Sequence, residues 1–238
     1  MNIVNEAVIE LRKGRPILIY DSDGREEETD LVIAAEFVTP ECVKTLRKDG
    51  GGLLCVAVHP GIAKRLGLPF LTDVWKEASA VYPVFKELWP HDIPYDEKSA
   101  FSITINHRKT FTGISDNDRS LTITELAGIG AKVLNGNYDP DEFGREFRSP
   151  GHVVLLRAAE GLLHKRKGHT ELSVAMMEMA GLTPVAAICE MLGDDCRSLG
   201  IEEAKRYAEK HGLVFMEGRE AIDYYLETGK VAFSKPGR

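Results

Sequence analysis

Six carboxylates fall within ten residues of the stretch YDSDGREEETDLVIAAE (residues 20–36): Asp21, Asp23, Glu26, Glu27, Glu28 and Asp30, with only Arg25 among them. An acidic run is ordinarily a solvated loop. Here the flanks are apolar: residues 16–20 (PILIY) and 31–35 (LVIAA) each read as a short buried strand. Acids wedged between two core strands stay close to the protein body, and their mutual repulsion calls for a cation or a substrate. If the chain is extended from Arg25 onward, the two-residue period places Glu26, Glu28 and Asp30 on one face. A calcium loop is excluded, because glycine stands at the fourth position from Asp21 and Val32 at the twelfth, where a bidentate acid is needed. A magnesium site needs fewer protein ligands, since that ion keeps waters and recruits substrate oxygens.

Four further clusters could carry chemistry. Arg166, Lys167, Gly168, His169 and Thr170 lead into a helical pattern, so free amides, a helix dipole and a guanidinium can converge on a phosphate. A basic turn before a capped helix is the plainer reading of the same residues. Arg148-Ser149-Pro150-Gly151-His152 leads into a strand, and a histidine there is either a proton shuttle or a hydrogen-bonding cap. Glu190 leaves the buried run Ile188-Cys189 as a half-buried carboxylate, a candidate general base. Residues 110–119 (TFTGISDNDR) read as a polar loop before a helix. Neither G-x-x-x-x-G-K-[ST] nor G-x-G-x-x-G occurs, so nucleotide-driven chemistry has no support.

These groups must be positioned by alternating strands and helices. The N-terminal residues place Ile3, Val4, Ala7, Val8 and Leu11 at helical spacing, without the apolar core of a signal peptide. Thr39-Pro40 opens a helix that the glycines at 50–52 break. Residues 53–58, 101–105, 153–156, 185–189 and 214–216 read as strands. Residues 122–134, a Thr170-capped segment to Ala180, 202–210 and a last segment carrying Ile222, Tyr225 and Leu226 read as helices. The pattern is that of a layered α/β protein, and irregular connections such as residues 69–99 argue against a uniform barrel.

With 238 residues and 43% of them apolar, the chain can bury one good core. A net charge of −7 is a poor surface for phosphate backbones, so nucleic acid is not expected as a partner. No apolar run reaches the ~18 residues of a membrane span. Four cysteines without a C-x-x-C pair fit reduced thiols in the cytoplasm.

Taken together, D-S-D-G-R-E-E-E-T-D-L, F-T-G-I-S-D-N-D-R, R-S-P-G-H-V, G-H-T-E and I-C-E-M resemble, in order and spacing, the 3,4-dihydroxy-2-butanone 4-phosphate synthase family of riboflavin biosynthesis. The resemblance runs from the first helix to the last and is greatest to the archaeal single-function form. It implies an α+β fold, a three-layer α/β/α sandwich with a mixed twisted sheet, in a homodimer with sites at the subunit interface. It implies one domain over residues 1–229, with 230–238 a flexible tail. The implied reaction converts ribulose 5-phosphate to 3,4-dihydroxy-2-butanone 4-phosphate and formate with Mg2+ or Mn2+ and no organic cofactor. Its course is proton abstraction to an enediolate that a divalent ion can stabilise, then rearrangement and loss of C4. Carried over by motif, Glu26 and His169 are the metal ligands. Arg25 and Asp30 contact the sugar, and Arg166, Lys167, Gly168, His169 and Thr170 grip the phosphate. His152 and Glu190 match the catalytic pair, while Asp21, Glu28, Cys55 and Thr112 match pocket-lining positions. Leu172-Ser173 and Cys196 depart from the family pattern, which usually has glycine at the latter. The fold is shared with threonylcarbamoyl-adenylate synthase-type proteins, which would carry a basic RNA-binding surface. A non-catalytic metal-binding scaffold would lack the phosphate loop and the catalytic pair.

Overall fold

The computed structural model describes residues 2–89 and 92–228. The expected tail, 230–238, lies outside the described residues. Seven strands form one sheet: β1 (Ile17–Tyr20), β2 (Thr29–Ala34), β3 (Cys55–Val58), β4 (Phe101–His107), β5 (Phe147–Arg157), β6 (Val185–Glu190) and β7 (Phe215–Glu217). Their order is β4-β5-β3-β6-β2-β1-β7. The β5–β3 and β1–β7 pairs are parallel and the others antiparallel, so the sheet is mixed.

Every residue of β1, β2 and β3 is buried, which explains their unbroken apolar runs: both faces of the sheet are covered. Alternate residues serve opposite cores. Leu31 and Ile33 pack into one, Val32 and Ala34 into the other. Ten helices lie among the described residues: α1 (Ile3–Arg12), α2 (Pro40–Thr45), α3 (Pro60–Arg65), α4 (Leu71–Ala78), α5 (Val84–Glu87), α6 (Asp116–Leu134), α7 (Phe143–Glu146), α8 (His169–Ala180), α9 (Ile201–His211) and α10 (Gly218–Thr228). Helices α1, α8 and α10 bury Val4, Leu11, Val174, Met177 and Tyr225 in one core. Helices α2, α3, α6 and α9 bury Val43, Ile62, Leu126 and Ala204 in the other. This is the expected three-layer α+β arrangement. Helices α4 and α5, in the long connection 69–99, add no buried side chain to either core.

Several boundaries differ from the sequence reading. Helix α6 begins at Asp116, not Thr122, because the Ser115 hydroxyl accepts the Asp118 N–H at 3.1 Å and caps the apparent loop. Strand β5 begins at Phe147, six residues early, through its pairing with Asn106 and His107. Thr170 does not cap α8. Gly168 holds the N-cap position without a side-chain bond, and Thr170 is buried in the first turn. Cys196, where the family usually has glycine, sits at φ +68°, the left-handed region that glycine fits without strain.

Candidate active site

The acidic stretch is a turn, not an extended strand. Pairing of β1 with β2 ends at Tyr20 and Thr29, and the intervening chain folds back on itself, with Gly24 at φ +76° and Glu27 at +58°. Asp21 organises it. Its buried carboxylate accepts the amide of Glu26 at 3.0 Å and that of Glu28 at 3.2 Å. The one-face expectation was thus wrong in its route but right in its result. Glu26, Glu28 and Asp30 line one cavity of about 270 Å³ with Glu190, Arg166, His169 and Thr170.

His169, the first residue of α8, faces the turn. Its Nδ1 lies 3.1 Å from Glu26 Oε2, and its Nε2 lies 3.7 Å from Asp30 Oδ1. Both Nε2 and that Asp30 oxygen are buried without a hydrogen-bond partner. Asp21, Glu26 and His169 each offer a ligand atom within 4.8 Å of the others. Burial pushes the Asp30 carboxyl up to about 8, with Glu190, Glu26 and Glu28 adding to the rise against the opposing pull of His169. Burial lowers the His169 imidazolium, but Asp30, the Glu26 hydrogen bond and Asp21 outweigh it and raise it to about 9. For Glu26, burial is overcome by His169, Arg25 and Arg166, and the carboxyl falls to about 2. A cluster that retains protons at Asp30 and His169 is short of positive charge. A hard divalent cation is the other way to supply it, and the unpartnered buried atoms fit one.

Two guanidiniums stand beside this cluster. Arg166 Nη1 donates to Glu171 Oε2 at 2.6 Å, and Glu171, fully buried, also accepts the Ala159 amide. Arg25 donates to Glu26 at 3.0 Å and to Asp21 at 3.4 Å. A side chain at Gly168 would collide with both guanidiniums, so this glycine is what allows them to lie against the start of α8. Lys167 is exposed and lines an open groove shared with Arg25 and Arg166.

Glu190 ends β6, paired with Asp30 of β2. Its Oε2 accepts the Leu53 amide at 2.7 Å, and a Cβ at Gly52 would clash with that same oxygen. The glycines at 50–52 therefore do more than end a helix: they let the chain pass over Glu190. Burial raises the Glu190 carboxyl above its ordinary value, opposed by the Leu53 amide. Cys55 lies beneath, buried outside the cavity lining, its thiol pushed well up by burial and by Glu190 and Asp30.

His152 and Thr112 are placed differently. Both are exposed, and neither lines the cavity. Asn106 Oδ1 accepts the His152 amide at 2.8 Å, and its Nδ2 lies 3.1 Å from His152 Nδ1 and 3.3 Å from the Thr112 carbonyl. With the amide group so oriented, Nδ1 of a neutral His152 accepts and Nε2 carries the proton. His152 lies in the bulge of β5 between Arg148 and Val153, whose partners on β4, Asn106 and Ile105, are adjacent residues.

Three contributors escaped the sequence reading. Glu171 was visible in G-H-T-E, but only the fold brings it to Arg166. Asn106 looked like an ordinary outward residue of β4. Asp96, whose Oδ2 accepts from both Arg25 and Arg166, is one acid among several in an irregular connection and carried no distinguishing signal.

Known proteins resemble the chain in sequence and in fold. Residues 5–224 match the family model for 3,4-dihydroxy-2-butanone 4-phosphate synthase. The chain is 55% identical over 226 residues to the 3,4-dihydroxy-2-butanone 4-phosphate synthase of Methanothermobacter thermautotrophicus, covering 94% of this chain and 96% of that one. It is 48% identical over 231 residues to that of Archaeoglobus fulgidus, covering 96% of each. Among solved structures, a 3,4-dihydroxy-2-butanone 4-phosphate synthase in complex with two magnesium ions superposes with a TM-score of 0.73 at 27% identity, over 96% of this chain and 99% of that one. The Candida albicans enzyme gives a TM-score of 0.71 at 31% identity, over 93% and 96%. The chain belongs to the 3,4-dihydroxy-2-butanone 4-phosphate synthase family.

Proposed function

We propose that residues 1–229 act as one domain that converts ribulose 5-phosphate to 3,4-dihydroxy-2-butanone 4-phosphate and formate, a step of riboflavin biosynthesis. The observation that carries this reading is a single small cavity. It holds two buried polar atoms without a hydrogen-bond partner, Asp30 Oδ1 and His169 Nε2, beside a half-buried guanidinium at a helix start. A sugar phosphate needs both halves of that arrangement. The two products together contain every atom of the substrate, so the reaction requires no net oxidant or reductant.

Glu26 and His169 would hold Mg2+ or Mn2+. The ion supplies positive charge beside the sugar oxygen on which negative charge develops as the C3 proton leaves. Arg166 and the first amides of α8, at Gly168, His169 and Thr170, hold the phosphate, with Lys167 near the entrance. Asp30 orients the sugar hydroxyls, and Arg25, which shares an Asp96 oxygen with Arg166, reaches from the sugar to the phosphate. Glu190, fixed by the Leu53 amide and raised in pKa by burial, takes up and returns protons. His152 presents Nε2–H as a donor. Asp21 holds the turn, and Glu28 is tied to Ser198 at 2.6 Å.

His152 and Thr112 serve the cavity of a second subunit in a homodimer. Their exposure beside Phe111, which is 92% exposed, and Ile114 supports an interface at this edge. No helix among the described residues is long and apolar enough to cross a membrane, and all four cysteines are free, as a cytoplasmic enzyme requires.

Incubation of the purified protein with ribulose 5-phosphate and Mg2+, followed by formate assay and 13C NMR of the phosphorylated product, tests this. Equal amounts of formate and the four-carbon ketone are expected. Consumption of substrate by isomerisation alone, without formate, would sink the assignment.

A further inference from the structure

Asp96 stands in an unusual position. It belongs to the segment 92–99, between α5 and β4, outside both hydrophobic cores. A single oxygen, Oδ2, accepts from Arg25 Nη2 at 2.9 Å and from Arg166 Nε at 2.5 Å. The other oxygen accepts the Glu97 amide. The Tyr95 ring lies 5.7 Å from the Arg25 guanidinium carbon, so two consecutive residues of this segment sit on the same cation.

Neither arginine needs Asp96 for compensation of its charge. Arg166 already has the buried Glu171, and Arg25 already has Glu26 and Asp21. Both guanidiniums press against Gly168 at the head of α8, a twelve-residue helix. One oxygen shared by two guanidiniums at a helix start is the environment of a phosphate oxygen. Asp96 supplies a carboxylate of one charge where a phosphate monoester would bring nearly two.

We propose that Asp96 is an internal competitor for the phosphate site: in the free protein its carboxylate occupies Arg25 and Arg166, and the phosphate of the substrate displaces it. This rests on Arg166 being the phosphate anchor. The competitor keeps both guanidiniums turned toward the phosphate position, away from Asp30 and Glu28, and it sets a threshold. Anions that bind two guanidiniums no better than a carboxylate does gain nothing by entering, whereas a phosphate dianion does. Asp96 is thereby a residue that sets affinity and selectivity without touching the reacting carbons.

The test titrates inorganic phosphate calorimetrically, at fixed ionic strength, into the full chain and into Asp96→Asn, Asp96→Ser, Arg166→Gln and the double variant Asp96→Asn/Arg166→Gln. Removing a competing charged hydrogen-bond acceptor should tighten phosphate binding about tenfold in both Asp96 variants. Arg166→Gln should weaken it by about tenfold or more, and Asp96→Asn should restore little of that loss in the double variant. Asp96 variants that bind phosphate equally or more weakly, with Arg166→Gln still impaired, overturn the competitor while leaving the anchor intact. An equal gain from Asp96→Asn with and without Arg166 also overturns it, since general charge removal would then be the cause. Wild-type phosphate binding by Arg166→Gln refutes the anchor itself, and the competitor with it. Two unlike replacements at position 96 guard against a folding defect peculiar to either.

Discussion

Two regions contain the residue types that acid–base chemistry needs, and they are built in opposite ways. In and beside the cavity, Glu26, His169, Asp30, Arg25, Asp96, Arg166 and Glu171 form one chain of ion pairs, with Asp30, His169 and Glu171 buried and the rest half-buried or better shielded than a surface pair. Its protonation states are strongly displaced: Glu26 falls to about 2, and His169 rises to about 9. At the β4–β5 edge, His152 is exposed and held by the neutral amide of Asn106. The contrast separates two tasks. Gathering a cation and a phosphate dianion requires fixed charges in a shielded place, where removing one partner strands another. Presenting a proton donor requires orientation and access, which a neutral amide provides without shifting charge.

The largest expected effect belongs to the cavity. Exhaustive EDTA treatment, verified by elemental analysis, should abolish formate release, and Mg2+ should restore it. Glu26→Gln should need at least about tenfold more Mg2+ for half-maximal activity. Full turnover by protein shown to be metal-free would break the comparison at its root, since the cavity's charge deficit would then have no function.

The next effect tests which subunit uses the edge. His152→Asn should lower turnover by ~100- to 10,000-fold, while ribulose 5-phosphate still binds. Glu26→Gln should be inactive at low Mg2+. If His152 serves the partner's cavity, mixing the two damaged proteins and allowing subunit exchange should recover about a quarter of wild-type activity, because half the dimers then carry one intact site. Mixing without recovery, in samples shown by mass spectrometry to contain heterodimers, would return His152 to its own chain's cavity.

The same contrast governs what the sequence disclosed. The cavity residues were legible because unlike charges between apolar strands require compensation, and because the motifs around Glu26, His169 and Glu190 are dense. The sheet was legible from β1, β2 and β6, whose apolar runs are unbroken. Less legible were contacts made by folding alone. The meeting of Asp30, Glu190 and His169 in one cavity arises from the pairing of β2 with β6 and the start of α8, all distant in sequence. The turn at Glu26 depends on backbone bonds to Asp21 that extended spacing does not predict. Asp96 reaches the arginines from 71 residues beyond Arg25 and 70 before Arg166, and no local pattern announces it.

A smaller effect should follow from Gly52→Ala. The new methyl would meet Glu190 Oε2, the Glu190 carbonyl and its Cβ at once. Displacing that carboxylate by a fraction of an ångström should cost about 10- to 100-fold in kcat. The metal and phosphate groups are not touched, so apparent affinities for Mg2+ and substrate should stay within about threefold. A variant that keeps its kcat would show that the position of Glu190 is not critical. A variant that loses substrate affinity instead would place the loop 50–52 against the substrate.

The smallest effect distinguishes the regions by stability. Burial raises the Glu190 carboxyl above its ordinary 4.5, the direction in which the charged form is the disfavoured one in the folded protein. A carboxyl raised on folding contributes its stability below the unfolded value and loses it as pH climbs through the folded value. At neutral pH the ionised Glu190 is therefore a burden, and Glu190→Gln, which still accepts the Leu53 amide, removes it. In metal-free protein at pH 7 the variant should melt about 1–3 °C higher than wild type while turning over poorly. That gain should shrink as pH falls and vanish well below pH 4.5, where the wild-type carboxyl is protonated in folded and unfolded chains alike. His152→Asn, on an exposed side chain paired with an amide, should move the melting temperature by less than about 1 °C at either pH. Equal shifts for the two variants would erase the distinction, because a group held only by neutral hydrogen bonds has no buried charge to relieve.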